Sequence, residues 1–140
     1  MFVQMLANIA GVDTSKYSTD VFSDVTSDKW YAGAVAWAYK NGIVNGTGGG
    51  KFAPDSNITR EQMCTMLKSF ADYSGVTLAG SHTGAAGFAD SKSISSWAYN
   101  GVDLAAKAGL INGKPGGIFD PQGLATRVEA AQVIMGYMKY

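Results

Sequence analysis

The chain has 140 residues, with 11 basic and 11 acidic side chains that cancel, a length that suits one domain able to bury a core without disulfides or metals. The charges are dispersed, which removes the electrostatic footprint of a protein that tracks nucleic acid or inserts into an anionic bilayer. Cys64 stands alone, excluding an internal disulfide and a cysteine-rich zinc site, and no apolar run reaches the roughly 18 residues needed to span a membrane.

The elements follow an internal repeat. Phe22 to Leu67 recurs at Phe88 to Ile134. FSDV at 22–25 matches FADS at 88–91 with an offset of 66, and after one inserted residue the offset is 67. Trp30 then matches Trp97, NGIVNG at 41–46 matches AGLING at 108–113, KFAP at 51–54 matches IFDP at 118–121, and ITR at 58–60 matches ATR at 125–127. At the N-terminus Met5, Leu6, Ile9 and Ala10 align with Met66, Leu67, Phe70 and Ala71, so MFVQMLANIAG reads as the last helix of a truncated repeat. Met1 falls at the position of Gln62. The chain also begins without the basic start and cleavage site of a signal peptide. An exported form is therefore expected to be part of a longer polypeptide.

In the first full repeat Ser27 or Asp28 can cap a helix over about 29–40 that carries Trp30, Ala34, Trp37 and Ala38 on one face, and Asn41-Gly42 ends it. A glycine turn and Phe-x-Pro follow, with Phe52 expected under the loop and at most a very short strand. Thr59 and Gln62 form a capping box at the start of the next helix, whose stripe is Met63, Met66, Leu67 and Phe70. Residues 74–87 are small and polar, a linker in which the single histidine, His82, is expected to be solvated. The second repeat gives Trp97 to Lys107 closed by Gly109, Phe119 beneath the loop, the box Thr126 and Glu129, and the stripe Val133, Ile134 and Tyr137.

The glycines of NGTGGGKFAP (45–54) invite a phosphate-loop reading, which the spacing refuses. Counting back from Gly50-Lys51 puts Asn45 where the first glycine belongs, and Phe52 stands where the magnesium-binding hydroxyl belongs. A dinucleotide fingerprint fails as well, because no strand–helix–strand unit surrounds the loop. With one histidine, one cysteine and no metal or calcium-loop spacing, neither catalysis nor a cofactor is expected.

Arg60 and Arg127 break a local rule at the same place in each repeat. Each follows the capping threonine, where the helix dipole disfavours a cation by about 0.3–1 kcal/mol. One reading is a structural ion pair with Asp24 and Asp90 of the FxD motifs. The other is an anion pocket in which guanidinium and helix N–H groups grip a carboxylate or phosphate. Both can hold together. Trp30 and Trp97, as first apolar residues of core helices, are expected in packing, with a face offered to a sugar ring as the second reading.

These motifs in this order resemble the S-layer homology domain: F-x-D-V, W, an Ala-rich helix ending G-I-V/I-N-G, F-x-P and I-T-R-E-Q. The resemblance divides the chain into the C-terminal part of a truncated repeat (1–20), a repeat at 21–76, a linker at 77–87 and a repeat at 88–140, together one compact domain. It implies a mainly α fold, a pseudo-threefold helical bundle with loop prongs. It further implies a non-covalent anchoring module on the bacterial cell surface, not an enzyme, that binds an acidic, typically pyruvylated, secondary cell-wall polysaccharide where repeats meet. Carried over by position, its ligand-binding residues are Arg60, Arg127, Asp24, Asp90, Trp30, Trp97, Gly46 and Gly113. No metal, nucleic acid or membrane insertion is implied. This chain departs from the usual T-R-A-E, reading T-R-E-Q at 59–62 and T-R-V-E at 126–129, and FADS lacks the valine of FSDV. The truncated repeat leaves at most two motif arginines and allows self-association to complete it. The alternative is a structural or oligomerisation module that does not touch glycan.

Overall fold

The computed structural model describes residues 2–18, 21–46, 48–54 and 57–139. Met1, aligned above with Gln62, lies outside them. The described architecture is helical: α1 (Phe2–Ala10), α2 (Ala32–Lys40), α3 (Arg60–Ser74), α4 (Ser96–Lys107) and α5 (Arg127–Tyr137), with short 3-10 turns and isolated β-bridges where a short strand was expected. None of these helices is long and apolar enough to cross a membrane. The chain divides into two compact units, Met1–Ser56 and Asn57–Tyr140.

In the first unit α1 packs on α2. The inward face of α1 is Phe2, Val3, Leu6 and Ala7, and α2 buries Ala34, Val35, Trp37 and Ala38, each large aliphatic or aromatic side chain contributing about 1.5–3 kcal/mol. Asn41 closes α2 and Gly42 turns the chain at φ +73°, as the Asn-Gly pair predicts. The start of α2 differs from the expectation. Ser27 and Asp28 do not cap it: the Thr26 hydroxyl donates to the Asp28 carboxylate, and the helix begins at Ala32 behind Tyr31, which offers no side-chain cap. Trp30 is thereby left ahead of the helix. Beside it a local core gathers Phe22, Val25, Tyr31, Ala32 and Val35, with Phe52 packed against it under the 45–54 loop.

In the second unit α3 packs on α4. Both capping boxes are present, Thr59 with Gln62 and Thr126 with Glu129, and Gly75 ends α3 at φ +72°. Met63, Leu67 and Phe70 are buried along α3, and the Tyr137 ring of α5 lies 5.4 Å from that of Phe70. Cys64 is buried, and burial pushes its thiol up to about 12, so it behaves as a small hydrophobe. The segment after α3 lies against α4: Leu78 is buried and the Ala85 amide donates to Asp103 at 2.9 Å. His82 is exposed. In both units the last helix of one sequence repeat packs on the first helix of the next.

Candidate functional site

The FxD aspartates are built into their loops. Asp24 accepts from the amides of Phe52 (2.9 Å) and Ala53 (2.8 Å), and Asp90 does the same for Phe119 and Asp120 (both 2.8 Å). Ala53 and Asp120 both sit at φ +60°, a left-handed conformation that costs a residue with a side chain about 1–2 kcal/mol. A carboxylate with two oxygens fixed on consecutive amides holds that turn and satisfies donors the turn would strand. Backbone hydrogen bonds, led by that of Phe52, keep Asp24 below the usual carboxylate value. Burial works to raise Asp90, but the Phe119 and Asp120 amides and the Arg60 charge outweigh it and leave it lowered too.

The outer loop glycines serve the same construction. A Cβ on Gly46 would stand 2.6 Å from the Phe22 ring and 2.7 Å from the Lys51 carbonyl, and one on Gly113 would stand 2.8 Å from the Ile118 carbonyl and 2.9 Å from the Phe88 ring. The close approach these glycines permit is made by the protein's own FxD phenylalanine.

Arg60 is 2% exposed. Its Nε donates to the Phe119 carbonyl at 2.7 Å, one terminal nitrogen donates to the Asn112 carbonyl at 2.9 Å, and the other pairs with Glu129. The guanidinium lies 5.0 Å from the Phe119 ring centroid, a cation–π distance. Its backbone N–H is also taken, by Gly123. Burial lowers the Arg60 pKa while the fields of Asp120 and Asp90 oppose that shift, and because a guanidinium ordinarily titrates far above neutral pH the group stays a cation. The expected partner was an FxD aspartate, and the structure corrects this. Asp24 and Asp90 have committed their oxygens to loop amides, so the acid that meets Arg60 is Glu129, which also accepts from the Thr126 amide.

Arg127 is the opposite case. It is exposed, and among the described residues its side chain has no hydrogen bond or ion pair. Trp30 and Trp97 overturn the packing expectation: they are 71% and 59% exposed. Trp30 precedes α2, its ring 5.3 Å from that of Tyr31 in an edge-on arrangement, and Trp97 sits in the first turn of α4, where Ala98 takes the core position.

Two acids escaped the sequence reading. Glu129 was noted only as a cap. Glu61, buried at 3%, accepts from the Ser95 amide (2.9 Å) and hydroxyl (2.7 Å) and from Gln122 (3.4 Å), tying α3 to the turn before α4. The available signal was the departure from T-R-A-E at 61, where a charged residue replaces a small one. Among the described residues no group of three His, Cys, Asp or Glu side chains is arranged to hold a metal.

The S-layer homology domain family model matches residues 21–64 and 87–131, more than half of the chain. Among known proteins, the chain is 41% identical, over 99% of its length, to the exoglucanase XynX of Acetivibrio thermocellus, covering 12% of that protein. It is 42% identical, again over 99% of its length, to an amylopullulanase of Thermoanaerobacterium thermosulfurigenes, covering 7% of it. A cellulosome-anchoring protein of Acetivibrio thermocellus is 27% identical over 93% of the chain, which spans 29% of that relative. In each case the likeness is to a small part of a much longer polypeptide.

Proposed function

Because this chain belongs to the S-layer homology domain family, we propose that it is the wall-anchoring part of a larger exported protein. In this reading it binds an acidic, pyruvylated secondary cell-wall polysaccharide without a covalent bond and acts outside the cell, on the bacterial surface. The observation that carries the reading is the pair of exposed tryptophans, Trp30 and Trp97, at matching positions of the two repeats. An exposed indole offers a flat apolar face to a pyranose ring, and the repeat sets two such faces along one chain, one just ahead of α2 and one in the first turn of α4. The relatives supply context, being carbohydrate-active enzymes and an anchoring protein in which the shared segment is a minor share of the length.

The arginines divide the work. Arg127 has free donors for a carboxylate, whereas an anion reaches Arg60 only by displacing Glu129 and two carbonyls. Arg60 with Asp90 and Gly113 fixes the shape of the groove where the two repeats meet, and Asp24 and Gly46 shape the loop of the first. Isolated wall polysaccharide tests this. Trp30→Ala/Trp97→Ala and Arg127→Ala variants that keep their fold should bind it at least tenfold more weakly, about 1.4 kcal/mol. Wild-type affinity in both would sink the reading.

The buried Arg60–Glu129 pair favours a second reading, a structural or self-associating module in which the arginines only hold loops. Light scattering across a concentration series separates the two: a dimer that forms without polymer and shows no affinity for it supports the module.

A further inference from the structure

Glu61 is a buried carboxylate that neither the capping boxes nor the FxD turns employ. It stands in the first turn of α3, where the helix dipole favours a negative charge. Its oxygens accept from the Ser95 amide, the Ser95 hydroxyl and the Gln122 side chain, and the same Gln122 nitrogen donates to the Ser93 carbonyl at 2.9 Å. Ser95 is the N-cap of α4, and its hydroxyl, given to Glu61, caps nothing in its own helix. The start of α4 is therefore held from outside, by the last helix of the preceding repeat, and Trp97 follows two residues on. The residue matching Ser95 in the first repeat is Asp28. There the turn closes on itself through Thr26, α2 begins only at Ala32, and Trp30 stays ahead of the helix. At the position of Glu61 in α5 stands Val128, an exposed residue with no carboxylate to offer.

We propose that Glu61 is a positioning residue: by fixing residues 93–95 it sets where α4 begins and holds the Trp97 indole in place for a pyranose ring. The proposal rests on the anchoring reading and adds the residue that prepares one of its two stacking faces. Helix ends fray, and a ring carried on a frayed turn must be ordered at the moment of binding, which subtracts from affinity. A carboxylate that gathers three donors around one turn removes that freedom in advance. The two indoles are thus unequal although their motif positions match. Trp97 is preorganised by its neighbour repeat, and Trp30, outside its helix, is not.

Fluorine NMR of the full chain labelled with fluorotryptophan reads the placement directly, with Trp30, Trp37 and Trp97 assigned by Trp→Phe substitution. Glu61→Ala should shift and broaden the Trp97 line and leave those of Trp30 and Trp37 in place. Glu61→Gln, whose side-chain oxygen still accepts from the Ser95 amide, should restore it. Ser95→Ala, which removes one donor and keeps the fold, should move the same line by less and serves where Glu61→Ala does not fold. Titration with isolated wall polysaccharide gives the second readout. Trp97→Ala should weaken binding roughly fivefold and Trp30→Ala roughly twofold, dividing the tenfold loss expected for both. Glu61→Ala should match the loss of Trp97→Ala, and the Glu61→Ala/Trp97→Ala double variant should be no weaker than either, the non-additivity of two residues acting through one contact. An unmoved Trp97 line in both Glu61→Ala and Ser95→Ala overturns the proposal, as does an additive loss in the double variant, and either result leaves the anchoring reading standing. Wild type without affinity for the polysaccharide brings down the anchoring reading and with it the role in binding, whatever the Trp97 line does.

Discussion

Arg60 and Arg127 follow the same capping threonine, at the same helical position, in two copies of one motif. Arg60 is 2% exposed with every arm of its guanidinium engaged, and Arg127 is exposed with none engaged. The backbone around each is alike: the N-caps Thr59 and Thr126 differ by 2° in φ and 1° in ψ (−80° and 164° against −82° and 163°). What differs is the neighbour. The loop of the following repeat, 112–123, lies over Arg60 and presents two carbonyls and the face of Phe119, while Glu129 closes the remaining side. A repeated motif thus fixes where an arginine starts, and the neighbouring repeat decides whether it becomes a strut or a free cation.

The widest gap between the two copies should appear in stability. Arg60→Ala strands Glu129 and two loop carbonyls and should cost about 3–5 kcal/mol, whereas Arg127→Ala should fall within about 0.5 kcal/mol of wild type. Urea unfolding measures both, and equal losses would erase the distinction. The loop glycines come next. Gly46→Ala and Gly113→Ala should each cost about 1–3 kcal/mol through overpacking on Phe22 and Phe88. Gly46 should be the worse, because it also holds φ +85° while Gly113 does not share that conformation.

Acid should separate the aspartates from the arginines. Asp24 and Asp90 have pKa values lowered below 3.8 in the folded chain, so their contribution is present above that value and is lost as pH falls through the lower folded values. Unfolding followed from pH 5 downward should show stability falling below about pH 4, and Asp24→Asn/Asp90→Asn should flatten that fall. The smallest effect on folding belongs to the tryptophans. Trp30→Ala and Trp97→Ala should change stability by no more than about 0.5 kcal/mol, an outcome that packing residues would not give and that leaves their faces free for glycan.

Much of this was legible because its causes are local. A capping box needs only residues three apart, and both boxes stand where the pattern placed them, as do the apolar stripes apart from Met66, which is only half-buried. Asn41-Gly42 and Phe52 and Phe119 beneath their loops follow from the same short-range chemistry. The helical fold and family membership follow from the repeat. The errors have one origin, which is competition for a polar group. Asp28 looked like a cap but is engaged by Thr26, so α2 starts late and Trp30 falls outside the core. Asp24 and Asp90 looked like partners for arginine but are saturated by consecutive amides of a left-handed turn. Glu129 looked like a cap alone, yet one oxygen serves Thr126 while the other meets Arg60. Sequence spacing says which groups can reach each other, not which acceptor a donor chooses.

Co-sedimentation of the purified chain with wall sacculi, intact and stripped of their secondary polysaccharide, tests anchoring most directly. The chain should pellet with intact sacculi, stay in solution with stripped ones, and return to the pellet when the polysaccharide is restored. Equal pelleting with both, or with neither, would contradict polysaccharide anchoring.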